Sequence, residues 1–295
     1  MRKISLVLFI LIPMLISCRE DEDKIIQTDL PIEASQLFGV SEVWGESLYY
    51  AMISWEEYQQ ADSLGLPGCP KISLDELNRQ VTLDFSSDSS CTTPEAQNRL
   101  GKLLLSFTQN DSSNVKSWYM EYDNYIFELN SIQGRRHFFA MDSVTVSERF
   151  EGLTQLSNEI LTTTFNGEIT HKRLYSLDTL IVSDTLAIGD SLNTIDTLVN
   201  FSLSKIFSVG TINGINPAGR AFNMAFTPAQ EHEVGCYKND QTLPKVGGET
   251  WMVSRGGNPE VNYTLTYEAL PDSCSVFATV TLPDGKQLLL NPPSE

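Results

Sequence analysis

From residue 80 onward, apolar and polar positions alternate along short runs, the period of a strand with one buried and one wet face. Such runs, rich in Thr, Val, Tyr and Phe, predict strands at 80–85, 101–108, 115–129, 136–150, 160–175, 203–212, 220–227, 249–254, 261–268, 275–282 and 286–290. Turn signals punctuate them at Asn110-Asp111-Ser112, Ile132-Gln133-Gly134, Asn166-Gly167, Asn213-Gly214, Pro217-Ala218-Gly219 and Asp284-Gly285, and Gly247-Gly248 and Gly256-Gly257 also read as turns. One earlier stretch has the other period. Trp44, Leu48, Ala51, Met52 and Trp55 recur at helical spacing within 41–60, with Ser41 as a candidate N-cap and Gly65, Pro67 and Gly68 ending the region. So many alternating strands cannot stay flat. The expected fold is mainly β: an antiparallel sandwich or strongly curved β roll, with one N-terminal amphipathic helix plugging an end or covering an edge.

The beginning of the chain follows a different logic. Arg2 and Lys3 precede an apolar run from Ile4 to Ile16, then Ser17 and Cys18. The run is shorter than the roughly 20 residues a spanning helix needs, and it has the layout of a secretory signal. Leu15-Ile16-Ser17-Cys18 resembles the bacterial lipobox. That resemblance implies cleavage of residues 1–17, lipid attachment at Cys18 and a stable membrane anchor. The dense charges Arg19-Glu20-Asp21-Glu22-Asp23-Lys24 are expected to be solvated, making 18–36 an acidic tether. An acidic run in this place resembles the surface-export signal of Bacteroidota lipoproteins, which implies an outer-membrane, cell-surface location. The helical segment would occupy 37–66 and the β body 67–295.

A formal net charge of −18 argues against nucleic acid as a partner, because phosphate binding needs clustered Lys and Arg. Four cysteines remain after Cys18, an even number that reads as disulfides in an exported chain. Four cysteines allow three pairings, and spacing alone does not choose. An internal similarity does: Val81-Thr82-Leu83-Asp84-Phe85 leads to Cys91 and then Gly101-Lys102, while Tyr263-Thr264-Leu265-Thr266-Tyr267 leads to Cys274 and then Gly285-Lys286. Each unit has one earlier cysteine, so the expected bonds are Cys69–Cys91 and Cys236–Cys274. No Cys-x-x-Cys occurs, which argues against zinc.

The succession of lipobox, acidic run, short helix, Cys69-Pro70-Lys71-Ile72-Ser73-Leu74-Asp75, Cys91-Thr92-Thr93-Pro94, Arg99-Leu100-Gly101-Lys102, Cys236, Cys274 and Ala278-Thr279-Val280-Thr281-Leu282 resembles a group of Bacteroidota surface lipoproteins over most of the mature chain. The resemblance implies an address and an architecture. It carries no catalytic residue over.

Residues 178–198 repeat every six positions: Asp178-Thr179-Leu180, Asp184-Thr185-Leu186, Asp190-Ser191-Leu192, Asp196-Thr197-Leu198. Six is even, so in an extended chain all four Asp share one face. The bland reading is an exposed hairpin arm. A second, compatible with it, is modification: Asp-[Ser/Thr]-aliphatic resembles the O-glycosylation signal of Bacteroidota, making Thr179, Thr185, Ser191 and Thr197 candidate acceptors, with Ser63 and Ser143 in matching triplets elsewhere. Calcium fits poorly, since same-face residues six apart lie roughly 20 Å from one another along a strand. A hexapeptide β-helix would need more repeats.

No nucleophile elbow, phosphate-cradling loop, metal-ligand spacing or cofactor motif is present, so no catalytic residue, metal or cofactor is expected. His137 and His171 read as strand or turn surface, and His232, in Glu231-His232-Glu233, as half a metal site at most. Trp118, Tyr119, Tyr122 and Tyr125 could stack on sugars, but a strand sends them to both faces and core packing is the expected role. The reading that emerges is a lipid-anchored, non-enzymatic module that binds a glycan or protein ligand or coats the surface. Its alternatives are a fimbrial subunit precursor and a secreted hydrolase acting on glycans.

Overall fold

A computed structural model of the chain describes residues 19–86, 97–108, 116–181, 197–271 and 273–291. Among the described residues the α-helices α1 (Arg19–Glu46), α2 (Leu48–Met52) and α3 (Trp55–Tyr58) precede the strands. Then follow β1 (Lys71–Asp75), β2 (Gln80–Asp84), β3 (Arg99–Phe107), β4 (Ser117–Phe127), β5 (Asn130–Ala140), β6 (Thr145–Ser157), β7 (Leu161–Ile181), β8 (Thr197–Ile215), β9 (Ala221–Phe226) and β10 (Gln230–Glu233). A short α4 (Val234–Lys238) precedes β11 (Val246–Arg255), β12 (Asn258–Ala269), β13 (Val276–Thr281) and β14 (Gln287–Leu289). The 14 strands of the described residues form one antiparallel sheet. Neighbours in sequence are neighbours in space, except that β9 folds back on β8 and β11 beside the short β10.

The protein is mainly β, and the sheet is a roll. Six strand spacings at about 4.8 Å would put β3 roughly 29 Å from β10 in a flat sheet. Instead Arg99 of β3 reaches Asp240, just past α4, at 2.5 Å. The curl is seeded by irregular residues in adjoining strands. Register shifts occur at Leu100/Lys102, Tyr122/Tyr125, Gln133/Arg136 and Phe150/Leu153, with Gly101, Asn124, Gly134 and Gly152 all at positive φ. Bulges in line across four strands bend the sheet along that line. Gly101 is the tightest of them. At φ +82°, a Cβ there would lie 2.1 Å from the Asn124 carbonyl oxygen. Gly101→Ala is expected to cost about 2 kcal/mol or more from backbone strain and overlap, read as a lower urea midpoint. An unchanged midpoint would show that the bulge does not hold the curl.

The roll encloses α1. Leu30, Ala34, Leu37, Phe38, Val40, Val43 and Trp44 are all buried and cover a broad arc of the helix, while Pro31, Ile32 and Ser35 on the remaining face of its middle part are exposed. This corrects two expectations. The helix is described from Arg19, and Leu30, Glu33 and Ala34 on it are buried, so 18–36 is not a solvated tether along its whole length. The helix also lies inside the concave face and not at an end or edge. Ser41 sits mid-helix and caps nothing; its Oγ donates to Glu249 Oε2 at 2.7 Å. The stretch 41–60 is three helices, with a break after Glu46 and another before a capping box in which Ser54 Oγ accepts from Glu57 N and Glu57 Oε2 accepts from Ser54 N.

Other strand expectations shift. The run 136–150 is the β5–β6 hairpin, with residues 141–144 as its turn, and β1 and β10 are additional strands. Asn166-Gly167 and Asn213-Gly214 are not turns but paired positions within β7 and β8. Gly167 is there because a Cβ would fall 2.2 Å from Phe150 Cζ. Gly247-Gly248 lies within β11, and Ile132-Gln133-Gly134 is a bulge in β5. Pro217-Ala218-Gly219, Gly256-Gly257 and Asp284-Gly285 do fall between strands. The turn signal at 110–112 lies outside the described residues.

Cys236 and Cys274 are bonded, tying α4 to the chain before β13. Cys69 is disulfide-bonded too; Cys91, its expected partner, lies outside the described residues. Among the described residues no helix is long and apolar enough to cross a membrane.

Candidate functional site

A helix threaded through a sheet must bury its own broken end. The last carbonyls of α1 and the chain beyond it need donors, and no basic residue lies in its last turn. The sheet supplies them. Arg136 Nη1 of β5 donates to Trp44 O at 3.0 Å and Tyr237 OH of α4 donates to Gly45 O at 2.8 Å. Trp118 Nε1 of β4 donates to Ala51 O at 2.8 Å. The helix in turn sends carboxylates into the sheet. Glu46 meets Arg99 (3.4 Å) and the Tyr125 hydroxyl (3.0 Å), and Glu33 receives both prongs of Arg255 with Arg220 and Tyr263. Burial alone would raise both carboxyls. At Glu33 the arginine and tyrosine donors win and hold the pKa below the usual carboxylate value, whereas at Glu46 burial wins and it is raised.

At the centre lies Glu148 of β6. Arg136 Nε donates to its Oε1 at 2.5 Å, Trp44 Nε1 donates to its Oε2 at 3.2 Å, and His171 Nε2 lies 2.9 Å from the same Oε2. His171 Nδ1 lies 2.9 Å from Ser208 Oγ of β8. Ser208, His171 and Glu148 therefore have the connectivity of a hydrolytic triad, on three neighbouring strands. All three are wholly buried, and the Trp44 ring lies stacked 6.0 Å from the imidazole. A nucleophile acts on a substrate it can touch, and Ser208 has no open face. The cluster is a core network, and it corrects the surface reading of His171. Burial would raise the Glu148 carboxyl, but Arg136 and His171 overcome this and hold it at about 2. His232 is also buried, against Tyr237 (Nδ1 to OH 3.0 Å), and is no half metal site; among the described residues no group of three or more His, Cys, Asp or Glu could hold an ion.

Among the described residues an open cleft of about 160 Å³ lies at the end of the roll where the β3–β4 and β5–β6 hairpins meet the α2–α3 junction. A water needs roughly 10–15 Å³ of such space, so this one takes a small molecule. Trp55, Phe107 and Trp118 line it, continuing an aromatic row (ring centroids 6.0 Å and 6.3 Å apart). Arg79, Lys116 and Arg173 line it with a single carboxylate, Glu56. Arg79 sits over the Trp55 ring at 5.8 Å and pairs with Glu56 at 3.4 Å. Arg173 donates to Ser143 O at 3.1 Å, and its Nε is buried with no hydrogen bond. Among the described residues no ion pair engages Lys116 or Arg173. Three cations meeting at one cleft run against a chain charge of −18.

The aromatic cluster divides as a bulged strand requires. Trp118 and Tyr122 point inward in phase, and Tyr125 joins them because the bulge at Asn124 resets the alternation. Tyr119 is on the outer face, stacked on half-buried His137 at 3.9 Å. Of the candidate acceptor hydroxyls, Ser143 is exposed in the β5–β6 turn, whereas Ser63 is half-buried and donates to Pro70 O at 2.6 Å. Backbone pairing of β7 and β8 runs to Ile181↔Thr197, beyond the last β6 partner at Lys172, so these strands leave the roll as a two-stranded ribbon. Thr179 and Thr197 are on it, while Thr185 and Ser191 lie outside the described residues, as does Cys18.

Sequence reasoning missed the cleft because its residues come from six separated segments. It passed over Arg79, Lys116 and Arg173 singly, and no periodicity links them. No protein-family model, curated protein or solved structure matches this chain.

Proposed function

We propose that the protein is a lipid-anchored module displayed on the outer surface of a bacterial envelope, where it binds a ligand in the cleft between Trp55, Lys116 and Arg173. The observation that carries the binding role is that cleft, a cationic, aromatic-lined opening in a strongly acidic chain. Convergent polar groups on an apolar concavity are the usual make-up of a ligand site. The anchor rests on the leader ending in Leu15-Ile16-Ser17-Cys18 and the display on the acidic run after it. The ribbon of β7 and β8 stands clear of the roll, and O-linked sugars on its Asp-Thr-Leu triplets would shield it from proteases.

The address is tested on whole cells and by intact mass. The native chain is expected to carry acyl chains on Cys18, to be cut by added protease without lysis, and to show extra hexose-scale mass localised to 178–198. Cys18→Ala is expected to release it from the membrane fraction. An unacylated or protease-protected native chain would overturn the proposed address, and an unmodified 178–198 peptide the glycosylation.

A further inference from the structure

We infer that the cleft takes a hexuronate unit, a pyranose ring bearing a carboxylate, as found in acidic polysaccharides. This rests on the proposed binding role and names the ligand class of the same site. The lining sets two requirements at once. Lys116 and Arg173 are in no ion pair among the described residues, and Asp142, whose charge acts on Arg173, is not on the lining, so the ligand is anionic. Arg79 is already shared with Glu56, and Asp142 offsets part of Arg173, which leaves a surplus of about one to two charges for one or two ligand oxygens. A guanidinium matches a planar carboxylate by geometry as well as by charge.

Trp55, Phe107 and Trp118 set the second requirement. Inorganic phosphate or sulfate would satisfy the cations and leave these aromatic walls wet. An Asp or Glu side chain reaches the cations on a flexible chain that must be ordered to lie along the aromatic edges, of which Trp55 and Trp118 expose only a little. A uronate ring presents a flat C–H face on the same rigid body as its carboxylate, so one unit meets both walls without ordering a flexible chain. The volume, about 160 Å³, accommodates one such unit, and the opening lets the polymer continue outward. Ser54, Thr108 and Ser117, also on the lining, offer oxygen partners for ring hydroxyls.

The test uses the full lipidated chain in detergent micelles, titrated with trigalacturonate, neutral galactotriose and the peptide Asp-Glu-Asp-Glu. Calorimetry is the readout, with tryptophan fluorescence beside it because two of the four Trp line the cleft. Trigalacturonate is expected to bind with an affinity that falls with salt. Lys116→Gln and Arg173→Gln together are expected to weaken it at least about tenfold, since each removes a charge-assisted contact from a partly exposed position. Circular dichroism confirms that the variant is folded. Equal binding of galactotriose, or binding that the double variant does not change, would overturn the inference. Peptide binding lost in the double variant, with no trigalacturonate binding, would also overturn it while leaving the cleft as a ligand site. Failure of all three probes would overturn the uronate assignment and leave the surface address to its own whole-cell test.

Discussion

Replacing Arg136 with Ala is expected to cost about 3–5 kcal/mol of folding stability, the scale for stripping one partner from a buried ion pair. Arg136 and Glu148 are wholly enclosed. The same guanidinium also donates to Trp44 O, Ser47 Oγ (2.7 Å) and Tyr122 OH (3.3 Å), and lies 5.7 Å from the Trp44 ring centroid. Its removal therefore strands a carboxylate held at about pKa 2, and it strands a helix-end carbonyl as well. Domains of this kind have only about 5–15 kcal/mol in hand. The urea midpoint of Arg136→Ala should fall steeply, while Arg149→Ala, which breaks the exposed pair with Glu168 (2.8 Å), should leave it within about 0.5 kcal/mol. Similar midpoints for the two variants would mean that the buried network contributes no more than a surface pair.

That network marks the limit of what the sequence made legible. Strand periodicity is a local property, so most strands, the mainly β class and the bond between Cys236 and Cys274 could be read from the chain. The curl could not. It depends on bulges at Gly101, Asn124, Gly134 and Gly152 falling in line across four strands, and single glycines do not announce their register. Two of the turn signals failed for a related reason: Asn-Gly at 166–167 and 213–214 looks like a hairpin, yet Gly167 is a slot for the Phe150 ring, and a Cβ at Gly214 would fall 2.3 Å from the Thr164 carbonyl oxygen on the neighbouring strand. The acidic segment misled in another way. Glu33 falls in the expected tether and is core, because its counter-charge, Arg255, lies 222 residues away. The cleft was illegible for the same reason, since charge complementarity between remote segments leaves no local pattern.

The second large effect is on the pH dependence of stability, through His232. Tyr237 has one hydroxyl proton and gives it to Gly45 O, so His232 Nδ1 carries a hydrogen and donates to the tyrosine oxygen. Nε2 is buried without a hydrogen bond. Burial, and the nearness of His171, push the imidazole down to about 3, against the weaker pull of the Thr242 carbonyl. An unfolded histidine titrates near 6.5. Between these values the unfolded chain holds a proton that the folded chain refuses, so stability is full above about pH 6.5 and is lost as pH falls toward 3. His171, also lowered by burial, acts in the same direction. Glu249 opposes them: burial raises it despite donors from Trp251, Ser41, Tyr267 and Gln230, so below its folded value the native state gains a proton and stability. A wild-type profile alone would mix these signs. The difference between wild type and His232→Gln isolates one group. The variant should be the less stable at pH 7.5, because the cavity fits an imidazole. By pH 5 the wild-type advantage should have shrunk by about 2 kcal/mol, the linkage expected 1.5 pH units below the unfolded value. Paired urea midpoints at the two pH values measure it. A difference that does not change with pH would mean that His232 is protonated as easily in the folded roll as in water, and that the end of α1 is open to solvent.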